Sequence, residues 1–214
     1  MSHTPRNILV VGAGPAAWRF VRAYHEGAEA AGRAADTITV LNDEPYIPYD
    51  RVAIEQIFKD TEKDLTLGDP ELWNAENINL VNNCHAEKLD RPRRVVTDTE
   101  GNEYPYDVLV FATGSRAVRI PILNSDAPHV FRTIDDVKNM VSEVKRLQST
   151  LGRAPRGIVV GGGLLGLEAA EGLKDLGAEP TILDVAPWLL SVEVDQGGGY
   201  AVNAQIKATG IDIE

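Results

Sequence analysis

Twice in this chain a short apolar strand runs into a glycine-spaced turn that opens a helix, and no other feature restricts its fold so tightly. The first copy, ILVVGAGPAAWRFVRAY, begins at Ile8; the second, IVVGGGLLGLEAAEGLKDLGAEPTILD, runs from Ile158 to Asp184. In the pattern GxGxxG the first glycine permits a tight strand-to-helix turn, the second lets backbone approach a pyrophosphate, and the third lets the helix pack close to the strand. Phosphates then rest on free N–H groups at the positive end of the helix. Gly161, Gly163 and Gly166 fill the three places in the second copy. Gly12 and Gly14 fill two in the first, with Ala17 in the third, which the pattern allows. Each copy follows a hydrophobic strand and precedes another, the context that distinguishes a nucleotide cradle from a glycine-rich turn.

The residue after the second strand of such a unit separates nucleotides. A carboxylate there bonds a ribose 2′-hydroxyl and repels a 2′-phosphate. Asp184 takes that place, 18 residues after Gly166, and no Arg or Lys occurs from Asp184 to Ser191. The second unit therefore points to NADH over NADPH. In the first unit the place falls on Asn42, followed by Asp43 and Glu44, and either acid could reach a ribose.

The rest of the chain reads as α/β. Strands are expected at 7–11, 37–41, 157–160 and 180–184 and in NINLV, HAEKLD and RRVVTD, with DTEGNE as a turn. Helices are expected over roughly 16–30, 51–59, 72–74, 164–176 and 196–209. The Ala/Gly-rich GAEAAGRAAD closes the first helix, and NDEPYIPYDR is loop. YDVLVFATG reads as a buried strand ending in glycine. Thr133 to Asp136 forms a capping box opening a helix to about Leu151. GRAPRG is a linker, Gly177 a helix-terminating residue, and GIDIE a last strand. Strands alternating with helices argue for parallel sheets. The resulting organisation is residues 1–130, a first dinucleotide fold; 131–155, a connecting helix and linker; and 156–214, a second dinucleotide fold.

Composition excludes several classes. A formal net charge of −11 argues against a nucleic-acid partner, which wants a basic face. No apolar run approaches the ~18–20 residues of a membrane span. The single cysteine, Cys84, rules out a disulfide framework and reads as a buried thiol. His3, His25, His85 and His129 lack metal-ligand spacing and read as surface or loop residues. The chain reads as cytoplasmic.

On ITVLNDEPYIPYDRVAI, YPYDVLVFATGSR, FRTIDD and VVGGGLLGLEAAEGLKDLG, the chain resembles the pyridine nucleotide–disulfide oxidoreductase superfamily. Within it, these stretches most resemble the N-terminal flavin part of assimilatory NAD(P)H–nitrite reductase large subunits; rubredoxin and ferredoxin reductases share them. The resemblance implies two Rossmann-like folds, FAD in the first and NADH in the second. It implies that Gly12, Gly14 and Pro15 hold the FAD pyrophosphate and that Asp43 takes the adenosine ribose. Arg51 would contact the flavin nucleotide, Ala86 would offer backbone groups to the adenine, and Thr113 and Gly114 would pass close to the FAD. Glu168 matches a helix glutamate near the nicotinamide and is the one catalytic candidate.

Two departures stand out. Relatives often carry Ser or Ser-Lys where this chain has Glu55 and Gln56, and Trp18 is bulky for its place and is expected in the core. The family's disulfide reductases need redox cysteines, and none lies near PYDR. Electrons are therefore expected to leave the flavin for an external acceptor, an iron–sulfur and sirohaem module or a small redox protein, with a homodimer as the intact form. The resemblance further implies that the chain returns to the FAD fold after the NAD fold, so residues 1–214 read as a fragment without turnover of its own. The competing readings are a rubredoxin or ferredoxin reductase-like flavoprotein and a non-catalytic nucleotide-binding module.

Overall fold

The first cradle sits at the carboxyl end of a parallel sheet built from the most apolar segments of the chain. In the computed structural model, which describes residues 4–31, 36–119 and 129–214, the elements run β1 (Asn7–Val11), α1 (Pro15–Ala30), β2 (Thr37–Leu41), β3 (Ile78–Val81), β4 (Ala86–Asp90), β5 (Val95–Asp98), β6 (Glu103–Pro105) and β7 (Val108–Phe111). Two 3-10 helices, Arg51–Phe58 and Pro70–Asn74, lie between β2 and β3. Residues 32–35, in the stretch expected to close α1, lie outside the described residues.

The chain divides into two units. The first comprises Met1–Arg51 and Asp64–Arg116, the second Val52–Lys63 and Ala117–Glu214. In the first unit the sheet order is β3-β2-β1-β7, all parallel, with Val11 opposite both Leu41 and Phe111. Alternation along β1 sends Ile8 and Val10 to one face, where they pack with Ala17 and Val21 of α1 and with Trp73. Leu9 and Val11 go to the other, where they pack with Leu41 of β2, Cys84 and Val96. An antiparallel sheet, β4-β5-β6, covers this face through Ala86, Val96 and Tyr104. Trp18 packs partly buried on the α1 side, its indole against Gly68.

The strand expected to be buried, β7, is an edge strand. Among the described residues it pairs with β1 alone; Val108 to Val110 are half-buried and Phe111 is 62% exposed.

The second unit continues with α2 (Ile134–Leu151), β8 (Arg156–Val160), α3 (Leu164–Asp175), β9 (Glu179–Leu183), α4 (Gln196–Ala208) and β10 (Asp212–Ile213). The capping box at Thr133 is formed, with Thr133 Oγ1 accepting from Asp136 N–H and Asp136 accepting from Thr133 N–H at 2.9 Å. Its parallel sheet has the order β10-β9-β8. Ile182 packs with Ala170, Leu189 and Ile211 on one face. The opposite face presents Ile158, Val160 and Leu183, which occupy the places of Leu9, Val11 and Leu41 in the first unit but stay exposed.

One polar cluster fixes the antiparallel sheet. Asp98, 4% exposed, accepts from the backbone N–H of Glu100 and Asn102, the Asn102 side-chain amide and the Tyr104 hydroxyl, at 2.9–3.0 Å. The Cys84 thiol also points at it, at 3.6 Å. These donors, led by the Asn102 side chain, lower the Asp98 carboxyl from 3.8 to about 2. A carboxyl depressed by folding stabilises the fold above its unfolded value and loses that contribution as pH falls toward its folded value. Acid unfolding followed by circular dichroism should therefore show stability falling between pH 3.8 and about 2, and Asp98→Asn should lower the melting temperature at pH 7 and flatten that fall. An unchanged acid limb in the variant would remove Asp98 from this role.

Candidate functional site

The two cradles have nearly the same backbone. In the first, Gly12 N–H donates to the Leu41 carbonyl at 2.9 Å; in the second, Gly161 N–H donates to the Leu183 carbonyl at 2.8 Å. Each bond ties the start of the turn to the last residue of the neighbouring parallel strand. The chain then extends through Gly14 (φ −80°, ψ −172°) or Gly163 (φ −80°, ψ −177°) and enters α1 or α3. The first intrahelical bonds are Trp18 N–H to Gly14 and Leu167 N–H to Gly163. Ahead of them, the amides of Ala16 and Ala17, and of Leu164, Leu165 and Gly166, have no intrahelical acceptor.

The remaining α-helices end those orphan amides internally. Thr133 caps α2, and Asp195 caps α4 by accepting from Gly198 N–H at 2.8 Å. Gly14 and Gly163 supply no side chain for this purpose, and a Cβ built on either would meet nothing within 4 Å. Both turns thus hold open space against helix amides, at the end of the helix that favours negative charge. The residues present fit a dinucleotide pyrophosphate, and Pro15 at N1 removes no useful donor.

The remaining glycines differ between the cradles for a local reason. Gly12 has φ +100°, and a Cβ there would fall inside the Ala112 carbonyl and against Thr113 Cα, because β7 runs beside β1. Thr113 follows β7, so the structure brings it to the first turn, with Gly114 next along the chain. At Gly166 a Cβ would fall inside the Gly161 carbonyl, so the helix lies directly on the turn. Ala17 holds the same place in the first cradle with its methyl fully buried among Ile8, Val10 and Val21.

The acids after the second strands fall differently than the bare spacing suggests. β9 ends at Leu183, one residue short of expectation, and Asp184 is the first loop residue. Its carboxylate accepts from Gly162 N–H and, at 2.8 Å, from Ala186 N–H. A carboxylate has about four lone-pair sites, which leaves capacity for a ribose hydroxyl. In the first unit Asn42 is 6% exposed and architectural. Its side chain donates to the Tyr46 carbonyl at 2.6 Å and to Asn82 at 2.8 Å and accepts from Glu44 N–H at 3.2 Å. Glu44 takes the Tyr49 hydroxyl at 2.7 Å and the Arg51 guanidinium at 2.6 Å, so Arg51 is held by Glu44. Asp43 is the exposed acid of the three. His85 Nδ1 lies 3.0 Å from its carboxylate, beside Ala86 at the start of β4. Sequence reading passed over His85, since nothing local marks a contact 42 positions distant.

Glu168 lies in the second turn of α3, half-buried. Burial first, then the charges of Glu55 and Glu171, push its carboxyl above the ordinary range. Cys84 is 6% exposed, with burial raising its thiol and Tyr104 and Asp98 beside it, so it packs as a thiol should in a core. Among the described residues, no group of three or more His, Cys, Asp or Glu is placed to hold a metal ion. Nor is any helix among them long and apolar enough to cross a membrane.

Known proteins resemble the chain along nearly its whole length. The family model described as pyridine nucleotide-disulphide oxidoreductase matches residues 6–214. The nitrite reductase (NADH) large subunit of Escherichia coli K12 is 34% identical over 209 residues, covering 96% of this chain and 24% of that subunit. The nitrite reductase [NAD(P)H] of Bacillus subtilis 168 is 32% identical over 210 residues, covering 96% and 25%. Among solved structures, the NADH:rubredoxin oxidoreductase of Clostridium acetobutylicum superposes with a TM-score of 0.78 at 28% identity, over 98% of this chain and 52% of that one. The chain thus spans about a quarter of the nitrite reductases it matches.

The close approach at Gly166 and the open space at Gly163 separate folding from cradle shape. Gly166→Ala should destabilise by about 1–3 kcal/mol, the usual cost of overpacking. Gly163→Ala, at a helix N-cap, should cost less than about 1 kcal/mol. Chemical denaturation of both variants checks this, and equal losses would refute it.

Proposed function

The chain belongs to the pyridine nucleotide-disulphide oxidoreductase family, and from that premise we propose that its two cradles hold two dinucleotides, FAD in the first and NADH in the second. The observation that carries the reading is the pair of uncapped helix starts at Gly14 and Gly163, matched in backbone geometry and open to solvent. When bound, the reduced nicotinamide supplies a hydride and the flavin accepts it. The protein's part is to bind, orient and screen. In the first unit Gly12, Gly14, Pro15 and Ala17 shape the pyrophosphate turn. Asp43 and Ala86 meet the adenosine end, and Thr113, Gly114 and Arg51 flank the rest. In the second unit Gly161, Gly163 and Gly166 form the turn, Asp184 holds the ribose, and Glu168 stands one helical turn in. The functional segments are 1–130 for FAD and 156–214 for NADH, joined by 131–155.

The electrons then go to a redox centre outside this chain. Cys84 is the one cysteine, and its thiol is committed to the core beside Asp98 and Tyr104, which favours an electron-transferring flavoprotein over a disulfide reductase. Relatives over 30% identical along nearly the whole chain include nitrite reductases, so the proposed setting is nitrite reduction in nitrogen assimilation, in the cytoplasm. An iron–sulfur and sirohaem module would be the acceptor and a homodimer the intact form. The superposition on an NADH:rubredoxin oxidoreductase supports a second reading, in which the acceptor is a small redox protein.

Asp184 makes the nucleotide choice testable. Titration of the chain with NADH and NADPH should show tighter NADH binding, and Asp184→Ser with Val185→Arg should shift preference toward NADPH. One charged hydrogen bond contributes about 1.5–3 kcal/mol, so the ratio should move by roughly ten- to a hundredfold. Equal or tighter NADPH binding by the unaltered chain would overturn the assignment.

A further inference from the structure

Asp43 and His85 meet beside the first cradle, and the backbone explains why they meet there. The loop that leaves β2 is laced to the loop that leaves β3. Asn42 N–H donates to the Val81 carbonyl at 2.9 Å, Cys84 N–H to the Asn42 carbonyl at 2.8 Å and Asn83 N–H to the Glu44 carbonyl at 3.3 Å. Two side chains add further rungs: Asn42 Nδ2 donates to Asn82 Oδ1 at 2.8 Å, and Asn82 Nδ2 to the Pro45 carbonyl at 3.3 Å. Asn83 takes the left-handed conformation, φ +54°, which asparagine tolerates better than most residues. Past that turn Cys84 enters the core, its thiol toward Asp98 and Tyr104, while His85 comes to the surface. The His85 carbonyl accepts from Thr99 N–H at 3.0 Å, which holds its backbone to the neighbouring chain. The ring is thereby delivered to Asp43, with Nδ1 3.0 Å from Oδ1.

The pair adds little to the fold. The side chains of His85 and Asp43 are 40% and 71% exposed, and exposed ion pairs contribute little to stability. The bonds between the loops already fix the backbone around them. What the contact does set is the direction of one carboxylate. The neighbours of Asp43 are engaged: Asn42 is architectural, and Glu44 gives one oxygen to Tyr49 and the other to Arg51. Asp43 gives Oδ1 to His85, and among the described residues its Oδ2 has no hydrogen-bond partner. Asp43 stands two residues beyond Leu41, whose carbonyl takes the Gly12 N–H, and Ala86 follows His85 at the start of β4. An acid with acceptor capacity to spare is therefore held next to the strand that ties down the open turn.

We infer that His85 is a positioning residue for the adenosine end of the first cradle: its Nδ1–H holds one oxygen of Asp43 and leaves the other set to accept a ribose hydroxyl. The inference rests on the reading of the first cradle as the FAD site. An ionised carboxylate only accepts, so the contact requires the proton on Nδ1. An unheld aspartate loses rotamer freedom when a ligand orders it, and one already held avoids that loss. The chemistry recognised is an adenosine ribose, which FAD and ADP carry and FMN lacks.

The test titrates the chain and its variants with FAD, ADP and FMN, followed by NMR and flavin fluorescence, with melting temperatures read on the same samples. His85→Ala should weaken FAD and ADP binding by about two- to tenfold, the span of one hydrogen bond's net contribution, and leave FMN binding unchanged. His85→Asn places an amide N–H where Nδ1 stands and should restore most of that loss. His85→Gln places its amide where the far ring nitrogen stands and should not. In an Asp43→Ala background, His85→Ala should have no further effect. A loss shared by FMN, or one that tracks a falling melting temperature, would make His85 a folding residue and overturn the inference. FAD and ADP binding that Asp43→Ala weakens but His85→Ala and His85→Gln leave alone would discard the inference and keep the reading of the cradle. Absence of FAD and ADP binding by the unaltered chain would discard both.

Discussion

Backbone amides left without an acceptor at the starts of α1 and α3 are the constraint around which both units are built. A helix opening without a cap is ordinarily closed by Ser, Thr, Asp or Asn, and the chain does this at α2 and α4. At the two glycine turns it does not. Leaving donors open requires that they stay solvated or meet an anion, so each turn must sit at the end of a sheet. The parallel order β2-β1 and β9-β8 places them there. The bonds from Gly12 to Leu41 and from Gly161 to Leu183 set each turn against the strand that precedes Asp43 or Asp184.

Much of this was legible in the chain. The strand–glycine–helix grammar located both cradles, and the capping box at Thr133 marked the start of α2 to the residue. The cradle glycines were readable because their roles are local: a turn, an approach and a packing contact within a few residues. What escaped depends on tertiary pairing. Among the described residues, β7 has the apolarity of a central strand and the position of an edge. The three-residue β6 follows the DTEGNE turn too briefly to announce itself. His85 beside Asp43 is a meeting of residues 42 positions apart.

The two cradles also show how one local grammar tolerates different surroundings. In the first unit β7 crowds Gly12, and an antiparallel sheet covers Leu9, Val11 and Leu41. In the second, Gly161 has open space around it, and Ile158, Val160 and Leu183 are exposed. The turn geometry is nearly the same in both. The cradle is thus a property of the strand, the turn and the first helical residues, with the neighbouring strand required only for the tie at its first glycine.

Asp184 carries two tasks on one carboxylate. Besides the ribose contact proposed for it, it gathers the N–H groups of Gly162 and Ala186, and Leu189 from the same loop packs over Gly162. Selection for a different coenzyme would begin by replacing this residue, and the same step would release the loop from the glycine turn. A lineage drifting toward the phosphorylated coenzyme would therefore pass first through proteins less well ordered than their ancestors. Compensation would have to arise elsewhere in the loop before the new preference became useful, so cofactor choice at this position is guarded by foldability as much as by affinity.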